Sequence, residues 1–183
     1  MIYDFIIYGN GLSSKLLALA LSKNNFKSLI IADKKTKSKE SNLVTFLSEG
    51  SLKYISKVLE TENIFSESEH IEKLNCEHWV SKKETKLEFE NHNKFTLGKI
   101  VPNVKIEEIL GNKILSNSKH IHISDHYEIT AKIDDGKITI TDKLGEKKSA
   151  ALLFYSASSR DHDLLNNFEF VEKKLDQVAI SAL

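Results

Sequence analysis

The residues whose types and spacing could do chemistry lie near the start of the chain: Gly9, Gly11, Leu12, Ser13, Ser14, Asp33 and Lys34. Together they read as a cradle for the pyrophosphate of a dinucleotide. Gly9 permits a sharp turn, and Gly11 has no Cβ to obstruct a phosphate approaching the backbone. Leu12, Ser13 and Ser14 open a helix whose first N–H groups and positive dipole end would face that phosphate. Asp33 lies 22 positions after Gly11, near the roughly 20 expected for a carboxylate that hydrogen-bonds a ribose hydroxyl. Lys34 begins a lysine-rich loop over 34–41 that could assist near an adenosine phosphate, although such a run is more commonly a solvated charged loop. Ser14 occupies the third glycine position of Gly-x-Gly-x-x-Gly. A side chain there should displace the helix slightly and weaken the site.

Positioning those residues requires a strand, a turn, a helix and a second strand. Phe5 to Tyr8 is a short apolar run suited to a strand buried on both faces, and Ser28 to Asp33 a second. Between them Leu16, Leu17, Ala20 and Leu21 recur at helical spacing. Further on, Asn42 to Ser48 is a short apolar segment that turns at Glu49-Gly50-Ser51 into a helix with Leu52, Ile55, Val58 and Leu59 on one face and Ser51 as cap. Residues 71–80 and 85–90 alternate as two strands of a hairpin joined by Ser81 to Glu84, with a slip in the alternation near Glu72 and Lys73. Leu97 to Val101 leads through Pro102 into a helix capped by Asn103, with Ile106, Ile109 and Leu110 buried and Gly111 as its stop. Residues 120–144 read as a β-meander turning at Asp134-Asp135-Gly136, and Ala150 to Tyr155 as a strand returning to the central sheet. Lys174 to Leu183 alternates as a last strand.

Composition bounds the reading. The 183 residues suffice for one sizeable core, and 26 basic residues balance 26 acidic ones, so no global field favours nucleic acid or an acidic membrane. Cys76 is the only cysteine, which excludes an intrachain disulfide and suits a reducing cytoplasm. No basic n-region precedes Tyr3 and no run of about 18 apolar residues occurs, so a soluble cytoplasmic protein with at most peripheral membrane contact is expected. Abundant Lys, Asn and Ile suggest a biased composition that can erode arginines and glycines without reference to function.

The order of segments resembles the N-terminal half of the flavin-dependent aromatic hydroxylases, the para-hydroxybenzoate hydroxylase superfamily and in particular its ubiquinone-biosynthesis members. Asp4 to Ala20 is similar to the family's Asp-x-x-Ile-x-Gly-x-Gly-Leu-x-Gly-x-x-x-Ala, and residues 46–51 to its Ala-Leu-Ser-x-x-Ser. Residues 70–76 resemble Pro-Ile-x-x-Ile-x-Val, and Leu97-Gly98-Lys99-Ile100-Val101-Pro102-Asn103, the most specific match, resembles Leu-Gly-Tyr-Ile-Val-Glu-Asn. The resemblance implies an α/β fold: a Rossmann-like βαβ unit that binds flavin adenine dinucleotide (FAD), a central parallel sheet, an antiparallel β-meander, and the start of a truncated substrate-lobe sheet. Residues 1–183 would be the FAD-binding domain, with 71–90 and 174–183 belonging to the incomplete lobe. Gly9 and Gly11 would approach the pyrophosphate and Asp33 would bind the adenosine ribose. The family reaction is hydroxylation of a prenylated phenol with oxygen and a reduced nicotinamide, and the flavin carries that chemistry.

The departures are equally specific. Family arginines fall on Leu43 and Val104, and Gly-Ala-Asp-Gly falls on Ser156-Ala157-Ser158-Ser159. The later Gly-Asp motif has no counterpart before Leu183, so no catalytic residue is assigned and the chain is not expected to hydroxylate alone. It reads as the FAD-binding portion of such an enzyme, either a fragment or one piece of a split enzyme completed by a second polypeptide, or as a degenerate homologue acting as a binding or scaffold subunit for other quinone-biosynthesis proteins. A nicotinamide-binding Rossmann protein is a lesser reading.

Other residues carry weaker signals. His120, His122 and His126 could share a metal if the first two lie on one strand face, but surface histidines are the commoner reading and no metal is assigned. Ser158, Ser159 and His162 lack the Gly-x-Ser-x-Gly elbow of a hydrolase. Cys76 at strand spacing reads as a small buried residue, Trp79 faces the other way and could line an apolar substrate, and no nucleic-acid module is present.

Overall fold

The computed structural model describes residues 2–32, 43–62, 64–80, 83–90, 96–124, 129–134, 136–142 and 144–156. The fold is mixed α/β, with a mostly parallel central sheet and smaller antiparallel sheets. In chain order the elements are β1 (Ile2–Tyr8), α1 (Leu12–Ser22), β2 (Ser28–Ile31), β3 (Val44–Ser48), α2 (Glu49–Leu59), β4 (Glu69–Ile71), β5 (Lys73–Val80), β6 (Lys83–Glu90), β7 (Gly98–Pro102), α3 (Asn103–Ser116), β8 (Ile121–Ser124), β9 (Ile129–Asp134), β10 (Lys137–Asp142) and β11 (Lys147–Tyr155). Two compact units result, residues 1–40 with 107–183 and residues 41–106, and the division falls inside α3.

The first unit is built on a six-stranded sheet in the order β8-β2-β1-β11-β10-β9. The four strands β8, β2, β1 and β11 run parallel, while β10 and β9 continue antiparallel. A parallel sheet is buried on both faces, and that explains the apolar runs Phe5 to Tyr8 of β1 and Leu29 to Ile31 of β2. Tyr3, Ile6, Tyr8, Leu29, Ile31, Ile140 and Ala150 form one buried cluster. Ile7 and Ile30 are fully buried as well.

The structure differs from the sequence expectation at α1, β8 and α3. The stripe that α1 buries is Ser14, Lys15, Ala18, Leu19 and Ser22, whereas Leu16, Leu17, Ala20 and Leu21 are half-buried. With Leu or Ala at every position from 16 to 21, periodicity could not fix the phase of this helix. The small side chains of Ser14, Ala18 and Ser22, one turn apart, suit its closely packed side. Strand β8 is not part of the meander, which is β9-β10-β11 alone. Because β8 follows a helix, it enters the sheet parallel, beside β2. Finally, α3 does not stop at Gly111 but runs on to Ser116. A mid-helix glycine costs about 1 kcal/mol relative to alanine, which burial of Leu110 and Ile114 on either side offsets. Asn103 is the first residue of α3, and its Oδ1 accepts from Thr45 Oγ1 at 2.6 Å.

The second unit has a three-stranded antiparallel sheet, β3-β7-β4, with helix α2, and a separate hairpin, β5-β6. The slip read near Glu72 is where the chain leaves one sheet for the other, since Ile71 pairs with Gly98 and Lys73 with Glu90. The hairpin connection is two residues long, because Lys83 and Glu84 already pair with Val80 and Trp79. The cap of α2 is Ser48, not Ser51: Ser48 Oγ accepts the backbone N–H of Ser51 at 3.2 Å. Serine at both positions made the cap ambiguous, and the extended backbone of Ser48 decides it. Cys76 is exposed rather than buried. Its strand pairs only within a two-stranded hairpin, so the alternation that places Leu74, Cys76, Leu87 and Phe89 on one face leaves all four exposed. The opposite face carries the ion pairs Lys73–Glu88 and Lys86–Glu77, at 3.3 and 3.4 Å. The strand expected over 174–183 lies outside the described residues.

Candidate functional site

Strand β1 delivers the glycine turn to the carboxyl edge of the parallel sheet. Tyr8, its last residue, is flanked by Ile31 of β2 on one side and Tyr155 of β11 on the other. The chain reaches β2 and then β8 on one side of β1, and returns by β11 on the other, so the strand order reverses between β1 and β11. Open α/β sheets bind ligands outside the carboxyl ends of their strands at such a switch point. Two backbone bonds fix the edge: Gly9 N–H donates to Ile31 O at 2.8 Å, and Ser156 N–H to Tyr8 O at 2.7 Å. The rings of Tyr8 and Tyr155 stack beneath it at 5.4 Å.

The turn itself has the features a phosphate requires. Gly9 has φ of +115°, a conformation that a side chain would strain. Gly11 is the N-cap of α1, makes no side-chain cap, and a Cβ built on it would meet nothing within 4 Å. No acidic residue lies in the first turn of α1 to compete for its N–H groups. Asn10 adds a buried side-chain oxygen with no partner, and since amide O and N positions are interchangeable, this group can offer a ligand an acceptor or a donor. Open space above Gly11, an uncapped helix start and an orphaned amide fit a dinucleotide pyrophosphate.

Of the residues singled out in the sequence, Gly9, Gly11, Leu12, Ser13 and Ser14 lie in this turn and the first turn of α1. Ser14 points inward, 1 % exposed, and its Oγ has no hydrogen-bond partner. Asp33 and Lys34 lie outside the described residues, as do Ser158, Ser159 and His162. Lys15 escaped the sequence reading. It is the sole charge on α1, buried, and its ammonium pairs with Glu107 of α3. A lone lysine in an apolar helix is the signal that could have found it, because a buried charge needs a partner.

The histidines separate. His120 lies in the turn before β8, and its Nδ1 is buried without a partner, while His122 Nδ1 is 2.9 Å from the Tyr3 hydroxyl. Both are half-buried rather than at the surface, and His126 lies outside the described residues. Burial, and secondarily Glu146, pushes the Tyr3 hydroxyl above its ordinary pKa. Among the described residues no helix is long and apolar enough to cross a membrane.

This fold is similar to part of several solved oxygenases and hydroxylases. The flavin-dependent monooxygenase PieE, solved in complex with FAD and substrate, matches with a TM-score of 0.65 at 13 % identity over 91 % of this chain. The anhydrotetracycline hydroxylase OxyS from Streptomyces rimosus matches with a TM-score of 0.61 at 16 % identity over 85 %. A 2-methyl-3-hydroxypyridine-5-carboxylic acid oxygenase matches with a TM-score of 0.56 at 18 % identity over 84 %. The chain spans 32 %, 31 % and 39 % of their respective lengths. No protein-family model and no curated protein sequence matches it.

Proposed function

We propose that this chain is the FAD-binding portion of a flavin-dependent aromatic-ring monooxygenase of the ubiquinone-biosynthesis type, and that it does not hydroxylate by itself. The observation that carries this reading is the position of the Gly9–Gly11 turn at the sheet's switch point, with open space over Gly11. Gly9, Gly11 and the N–H groups of Leu12, Ser13 and Ser14 would hold the pyrophosphate, Asp33 the adenosine ribose, and Lys34 would add charge nearby. Bound there, FAD supplies oxygen activation, while the chain contributes binding and orientation. The hairpin β5-β6 and residues 174–183 are assigned to the substrate lobe, which a second polypeptide would complete.

A second reading has its own support. The two positions where the resembled family carries arginine, Leu43 and Val104, are apolar and exposed, 51 % and 58 %. A chain that has lost those cations suits a non-catalytic binding or scaffold subunit for other quinone-biosynthesis proteins.

Flavin titration tests both. Saturable quenching of FAD fluorescence by the purified chain, lost in Gly11→Val and Asp33→Ala, supports the first reading. A folded chain that leaves FAD fluorescence unchanged would replace it with the second.

A further inference from the structure

The second unit contains a cleft of about 430 Å³, lined by residues of that unit alone. Helix α2 contributes Leu52, Lys53 and Ser56, the following loop contributes Ile64 and Phe65, and Lys99 of β7 projects into it. Its volume falls in the range of small-ligand pockets, and its lining is mixed, with Leu52, Ile64 and Phe65 set among charged and hydroxyl side chains.

The charges in the cleft are not equivalent. Lys53 is committed to Glu49, one turn away, at 2.7 Å. Lys99 is half-buried in the middle strand of its sheet, and its ammonium donates to a backbone carbonyl, that of Phe65, at 2.7 Å. No carboxylate pairs with it among the described residues. A part-desolvated ammonium with spare N–H donors and no counter-ion favours an anion. Leu52 and Ile64, both half-buried, offer that anion a hydrocarbon surface, backed by the buried Phe65. Glu49 and Glu62 at the lining would repel a second negative charge.

We propose that this cleft is a binding site for a short apolar monocarboxylate, its carboxylate on Lys99 and its hydrocarbon against Leu52 and Ile64. The site is independent of the flavin reading, and its test uses no flavin.

The full chain, labelled with nitrogen-15, is titrated with 4-methylpentanoate while backbone amide shifts are followed. Saturable shifts centred on Ser56, Phe65 and Lys99 are expected, with binding at least about tenfold weaker for the neutral 4-methylpentanamide and for the dianion adipate. Lys99→Met should abolish the shifts and Lys99→Arg retain them. Ser56→Phe, which puts a bulky side chain into the cleft from α2 and keeps Lys99 in the sequence, should also abolish them, and decides the matter if Lys99→Met fails to fold. The proposal is overturned if the amide binds as well as the acid, if a folded Lys99→Met or Ser56→Phe chain still responds, or if the wild-type chain shows no saturable shift.

Discussion

Gly98 lies against Leu47 so closely that no side chain can stand between them. A Cβ at Gly98 would lie 2.9 Å from both the Leu47 carbonyl carbon and Phe46 Cε2, and closer still to the Leu47 carbonyl oxygen. The obstacle is mostly backbone of the paired strand β3, which cannot rotate away as a side chain could. Gly98→Ala should therefore force β3 from β7 and destabilise the second unit by about 3 kcal/mol. Urea denaturation would show it as a lowered midpoint, and an unchanged midpoint would contradict the packing.

Substitution at the two glycines of the phosphate turn should act on different properties, stability at Gly9 and flavin affinity at Gly11. Gly9→Ala puts a side chain at φ of +115° and should cost about 1–3 kcal/mol of stability. Gly11→Ala adds a carbon to open space, so stability should fall by no more than about 1 kcal/mol, the cost of a poorer cap. FAD affinity should nevertheless drop at least about tenfold. Thermal melts and flavin titration of the two variants separate these effects.

Ser48→Ala should cost about 1 kcal/mol, because it leaves the Ser51 N–H without its acceptor. Ser51→Ala removes a hydroxyl contact with Ser48 at 3.0 Å but keeps the cap, and should cost less than half as much. A larger loss in Ser51→Ala than in Ser48→Ala would overturn the assignment of Ser48 as the cap.

Ser14→Ala should be neutral or stabilising by up to about 1 kcal/mol, since the buried hydroxyl has no partner to lose. A clear destabilisation would reveal a hydrogen bond made by Ser14 in solution.

Tyr3 predicts an alkaline effect. Its folded pKa is raised above 10.0 by burial and then by Glu146, so the folded state favours the neutral hydroxyl. That contribution is fully present below the unfolded value near 10 and is lost as pH rises through the folded pKa, where the unfolded chain binds fewer protons. Tyr3→Phe should be less stable than wild type at pH 8, having lost the contact with His122, and the gap should narrow above pH 10. Chemical denaturation at a series of pH values reads both limbs.

Much of this architecture was legible because local chemistry and global fold agree. The β1-turn-α1-β2 unit announced itself through apolar runs flanking Gly9 and Gly11, and the hairpin through strict alternation. Sequence and structure differ where one signal is silent. Leu and Ala at every position from 16 to 21 carried no phase, so the buried face of α1 depended on tertiary packing. Gly111 looked like a stop because its sequence neighbourhood cannot show that Ile114 is buried beyond it. The alternation around Cys76 reports a two-faced strand but not whether anything covers the apolar face. In the site, the glycine motif was readable, whereas Lys15 and Lys99 acquire meaning only from partners 92 and 34 residues away.

Strand β1 pairs with β2 at once, but its other neighbour is far along the chain, Ile2 facing Ser149. At synthesis rates of about 5–20 residues per second, one edge of β1 waits on the order of ten seconds or more for β11 to emerge. An unpaired edge beside an apolar core is a template for wrong strands. The glycine turn is thus assembled early on an unfinished sheet, and the step that completes its floor is the late arrival of Tyr155 beside Tyr8.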